Sequence, residues 1–127
     1  MGLDMYFTRE PKIKSSKDDY RYQHEVGYFR KHNALHQWMV DNVQDGVDEC
    51  QRVIVRPDVL SRLLSLVQTA LALRDASIIP PASGFFFGST TVDETYWAKM
   101  SDTYETLQDI INTTDFDNEC ICYLSSW

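Results

Sequence analysis

Two histidines four residues apart, His32 and His36, lie in the block EVGYFRKHNALHQWMVDNVQDGVDEC, which runs from Glu25 to Cys50. On a helix that spacing puts both imidazoles on one face, as zinc-binding helices do. A metal needs a third ligand, and the intervening Asn33, Ala34 and Leu35 include no acid, so no metal site is expected. Cys50 with His36 would supply a nucleophile and a base, because such pairs assemble in space. No oxyanion-hole motif accompanies them, and a buried small thiol is the simpler reading of Cys50. Asp45, Asp48 and Glu49 around Gly46 lack the alternating oxygen ligands of a calcium loop. Gly84 and Gly88 bracket Phe85, Phe86 and Phe87 without any phosphate-loop pattern. No cofactor is indicated.

The residues left over form a set with no motif. Asn33, His36, Trp38, Asp41, Asn42 and Asp48 fall on or just after one helix, and Ser83, Phe87, Ser89, Thr90, Asp93, Ser126 and Trp127 lie elsewhere. Polar groups interleaved with aromatics line small-molecule and peptide pockets. The same groups also cap helices and satisfy buried hydrogen bonds. Both readings stand. If the chain is an enzyme, His36 with Asp41 or Asp48 is the acid/base pair to expect, with a nucleotide-like substrate stacked on the phenylalanine strand.

The elements that must position these residues follow from periodicity. Gly2 to Thr8 alternates weakly and reads as a first strand, followed by a loop over Glu10 to Tyr20. Tyr20 to Lys31 is ambiguous between strand and helix. The spacing of Leu35, Met39 and Val43 predicts a helix over Phe29 to Gln44, stopped by Gly46. RVIVR (52–56) is a short strand, and Pro57 opens a helix whose Leu60, Leu63, Leu64, Val67 and Leu71 recur at three and four residues until about Arg74. In the Phe85–Phe87 stretch a strand would turn Phe85 and Phe87 to one face and Phe86 to the other. Thr91 and Glu94 read as a capping box for a third helix carrying Trp97, Met100, Tyr104, Leu107 and Ile111. Glu119 to Trp127 is a last strand, with Cys120, Cys122 and Leu124 on one face and Ile121 and Tyr123 on the other. The expected fold is a single α+β domain over residues 1–127, about three helices on a small mixed or antiparallel sheet of about four strands.

Composition narrows the function classes. Hydrophobic residues make up 43% of the 127 and charged residues 24%, which suits a globular domain and excludes a disordered one. No apolar run is long enough to span a membrane, and Asp4 would interrupt a signal-peptide core, so a cytoplasmic location is expected. Three cysteines, Cys50, Cys120 and Cys122, suit a reducing compartment and buried or half-buried thiols. The net charge of −7 is lopsided: bases crowd between Arg9 and Lys31, and none follows Lys99. That distribution disfavours direct nucleic-acid binding. It leaves open a partner with a basic surface, and a solvated helix face explains it equally.

Five stretches resemble a family of small proteins encoded by bacteriophages and prophages: GLDMY, YFRKHNALHQWMVDNVQDGVDEC, SGFFFGST, DETYW and the terminal SSW. Together they span nearly the whole chain. The family pattern has alanine where this chain has His32, which further weakens a two-histidine metal site. The resemblance implies an accessory protein in the host bacterial cytoplasm and carries no catalytic residues across. The expected function is a phage accessory or counter-defence protein that binds a host protein or a small signalling molecule. The alternatives are the nucleotide-directed enzyme above and a homo-oligomer component, the latter favoured by an exposed apolar patch around Phe86 and Trp127.

Overall fold

A computed structural model describes residues 2–12, 24–83 and 90–127. The strand expected through Phe85–Phe87, and with it the sites expected at Phe87 and Ser89, lies outside the described residues. The elements run β1 (Asp4–Pro11), β2 (His24–Arg30), α1 (Asn33–Asn42), β3 (Val53–Val55), α2 (Pro57–Leu73), α3 (Glu94–Thr113) and β4 (Glu119–Ser126). The fold is α+β, with three helices and one four-stranded sheet of order β2-β1-β4-β3. Every pairing is antiparallel. No helix among the described residues is long and apolar enough to cross a membrane.

Strand alternation divides the sheet cleanly. Leu3, Met5 and Phe7, with Phe29, Val55, Ile121 and Tyr123, turn to one face and join the helix residues Leu35, Met39, Leu60, Leu63, Val67, Met100, Leu107 and Ile110 in one buried core. The opposite face carries Tyr6, Tyr28, Ile54, Cys120, Cys122 and Leu124, as the period of two requires. Cys122 is buried there, and Cys50 and Cys120 are half-buried. On this face Glu10, only 2% exposed, pairs with Arg52 and accepts a hydrogen bond from Thr8 Oγ1. α3 crosses β2 so closely that a Cβ on Gly27 would lie 2.9 Å from Thr106 Cγ2 and 3.4 Å from Phe7 Cδ2.

Several boundaries differ from the sequence reading. β1 runs from Asp4 to Pro11, past the expected end at Thr8, because Glu10 and Pro11 pair with Cys120 and Glu119 of β4. Phe29 belongs to β2, where it pairs with Met5, and α1 starts four residues later at Asn33. Lys31 stands at φ 54°, and its amide donates to the Leu3 carbonyl, so the chain turns there and a helix cannot run through it. α1 ends at Asn42, and the Gly46 amide (φ 77°) returns to the Val40 carbonyl, which preserves the expected role of Gly46 in the stop. The cap of α3 is Asp93: its carboxylate accepts from the Thr95 and Tyr96 amides and takes the place expected for Thr91. A carboxylate is the stronger acceptor at the positive end of a helix. α2 begins at Pro57 and ends in a left-handed Arg74 (φ 51°), as its spacing predicts.

Candidate functional site

The expected site residues separate into three groups. The first is a buried chain of hydrogen bonds. His36, fully buried on α1, sits between the Tyr123 hydroxyl on β4 (2.6 Å from Nδ1) and Asp48 Oδ1 (3.0 Å from Nε2). A carboxylate only accepts, so Nε2 is the donor to Asp48, and in the neutral imidazole Nδ1 then receives the Tyr123 hydroxyl. The Trp127 indole N–H also donates to Asp48 Oδ1, at 3.1 Å. Burial, with the charges of Asp48 and Cys50 nearby, holds the Tyr123 phenol well above its ordinary range, so it remains protonated and able to donate.

The second group lies on the outer side of α1. Arg62 from α2 stacks over the Trp38 ring, 5.5 Å from its centroid, and donates to Asn42 Oδ1. Asn42 Nδ2 closes back on the Trp38 carbonyl, and the exposed Asp41 accepts from Gln37. These contacts tie α1 to α2. Ser83 and Thr90 are exposed, on either side of the undescribed stretch.

The third group surrounds a cavity of about 120 Å³ where the starts of α1 and α3 meet. Lys31, Asn33, Thr91, Asp93, Thr95 and Lys99 border it, with His32 and Tyr96 behind them. The Lys99 ammonium donates to the Lys31 carbonyl at 2.9 Å, which uses one of its three donors and holds the charge at the cavity. Burial lowers the Lys99 pKa, the neighbouring Lys31 charge lowers it further, and Asp93 opposes both. Asn33 is buried, and its Oδ1 accepts the Ala82 amide, which fastens the segment after α2 beside the cavity.

His32 is held neutral, its pKa lowered to about 3 by burial and secondarily by Lys99. Its Nε2 lies 2.8 Å from Thr103 Oγ1. Thr103 gives its hydroxyl proton to the Lys99 carbonyl, so Nε2 is the donor to Thr103. The two histidines thus face different partners, Thr103 for one and Tyr123 with Asp48 for the other. No cluster of three or more metal-ligating side chains occurs among the described residues.

No family model, curated protein or solved structure matches the chain. His36 and Asp48 do converge, with the imidazole fully buried, and the His36 bonds to Asp48 and Tyr123 tie α1 to the 43–52 loop and to β4. The cavity is the part the sequence hid. Lys31 and Lys99 are 68 positions apart, and the packing of α3 against the end of β2 brings them together. A lysine inside the half-buried stripe of α3 was the one local sign, since that stripe is otherwise apolar or hydroxylated.

Proposed function

We propose that this is a phage or prophage accessory protein that acts by binding a small anionic molecule in the Lys31–Lys99 cavity, with no catalytic step of its own. The observation that carries this reading is that two lysines, Lys31 and Lys99, and a single acid, Asp93, are among the residues lining one cavity. Burial, and secondarily the Lys31 charge, raise the cost of charging Lys99. An anion in the cavity relieves both costs at once. The α1 amides add donors of the same sense, because α1 has no side-chain cap and no acid in its first turn. Thr91 and Thr95 bring hydroxyls suited to phosphate or carboxylate oxygens.

The family resemblance supports a role in an infected bacterium, and the burial of His36 favours binding over the acid/base enzyme. Calorimetric titration with inorganic pyrophosphate tests the reading. Binding to the wild type is expected, weakened roughly tenfold or more in Lys99→Met and in Lys31→Met, as loss of a charged hydrogen bond requires. Absence of binding, or equal affinity in all three proteins, rejects the cavity. The exposed acids Asp102, Glu105 and Asp109 of α3 would then be the surface to mutate in search of a basic host protein.

A further inference from the structure

Lys31 links the anion cavity to a second one. Its side chain turns toward Gly2: a Cβ built on Gly2 would lie 3.3 Å from Lys31 Cε and 3.9 Å from a terminal nitrogen of Arg30. Gly2 lines an open groove of about 310 Å³ together with Asp4, Arg30, Ser126 and Trp127. Three cationic side chains, Arg30, Lys31 and Lys99, thus run from the groove into the small cavity.

The groove also has an oriented aromatic wall. Trp127 is 42% exposed, yet its indole N–H is bound to Asp48, which is held in turn by the fully buried His36. The ring is fixed from behind while much of its surface stays open. Asp4, whose carboxylate accepts the Tyr28 hydroxyl, offers acceptor oxygens in the same groove, and Ser126 offers a hydroxyl.

On the basis of the anion reading above, we infer that groove and cavity form one bipartite site for a free nucleotide, with its phosphates at Lys31 and Lys99 and its base against Trp127. A cavity of about 120 Å³ accepts a phosphate group and is too small for a whole nucleotide. The remainder of the ligand must lie along the groove, where the indole supplies a stacking surface. Stacking on an aromatic is tolerant of base identity, because every base has a π-face. Arg30 lines the groove and, like Lys31, approaches Gly2, so a sugar–phosphate linkage would pass beside it. A nucleic-acid strand fits less well, since the chain carries a net charge of −7 and α3 exposes Asp102, Glu105 and Asp109.

The test is a calorimetric comparison of pyrophosphate, ADP and a short 5′-phosphorylated single-stranded oligonucleotide on the full chain. ADP is expected to bind roughly tenfold more tightly than pyrophosphate, as one stacked base contributes. Trp127→Ala should remove that advantage and leave pyrophosphate binding as it was, and Lys99→Met should weaken both. The wild-type comparison needs no variant and decides the question even if Trp127→Ala does not fold. Equal binding of ADP and pyrophosphate would overturn the nucleotide assignment and leave the anion cavity intact. Binding of neither ligand would overturn both. An oligonucleotide that outcompetes ADP would replace the free nucleotide with a strand end.

Discussion

Acidification should destabilise this protein through His32 in a way that one substitution can isolate. The imidazole has an ordinary pKa of 6.5 and is depressed to about 3 in the folded chain, chiefly by burial. A depressed folded pKa means the contribution is fully present above the ordinary value and is lost as the pH falls toward the folded one. The unfolded chain takes up a proton that the folded chain refuses, so stability falls by about 1.4 kcal/mol per pH unit across that window. By about pH 4 the worked loss is roughly 3 kcal/mol, a large share of the roughly 5–15 kcal/mol that holds an ordinary domain together. Urea unfolding between about pH 7 and about pH 4 measures it, with the midpoint converted through a constant slope. Carboxylates also titrate there, so the informative quantity is the difference from His32→Gln, whose amide can still donate to Thr103. The variant should be less stable near neutrality and show a flatter pH dependence, so that the two curves approach as the pH falls. Parallel curves would refute the reasoning, because they would mean that His32 charges freely in the folded state.

Other perturbations follow from the same geometry. Tyr123→Phe removes the donor to His36 Nδ1 in a fully buried position, so it should cost about 1–3 kcal/mol, or about 4–10 °C in Tm by thermal unfolding. A Tm within about a degree of wild type would mean the hydroxyl does not support the imidazole. Gly27→Ala should destabilise by about 1–3 kcal/mol through its contact with the Thr106 methyl, and Thr106→Ser should restore most of the loss. Chemical denaturation checks both, and additivity of the two changes would contradict the close approach. Arg52→Met removes the cation that pairs with the buried Glu10 carboxylate, and should cost about 1–3 kcal/mol near neutral pH. Arg52→Lys should recover part of the loss; a denaturation midpoint for Arg52→Met equal to that of the wild type would show that the pair contributes nothing net.

The parts of the fold legible in the sequence are those set by neighbours in the chain. α2 could be read from Pro57 to Arg74 because its opening proline, first-turn Asp58 and leucine period are all local. β4 was equally plain: alternation alone put Ile121 and Tyr123 on one face and Cys120, Cys122 and Leu124 on the other, and packing chose the first pair for the core. Phe29 was misplaced because what makes it a strand residue is its pairing with Met5, more than twenty positions away. The same limit governed the site. His36 and Trp127 belonged together, but through Asp48 and in support of the fold, whereas Asn42 turned to Arg62 and Trp38. Asn33 and Asp93 did border the cavity, while Lys31 and Lys99, which give it its charge, stood in the sequence as ordinary surface cations. A lysine reads as solvated until packing places a second one beside it.

Native mass spectrometry of the protein isolated from bacterial cells, set beside the same protein after denaturation and refolding, tests most directly whether this chain is a binding protein for a small anion. The account predicts a discrete extra mass that is lost on refolding, absorbs as a nucleotide does, and is absent from a Lys31→Met, Lys99→Met double variant that still folds. An identical mass before and after refolding, with added ADP and pyrophosphate also failing to bind, would contradict it.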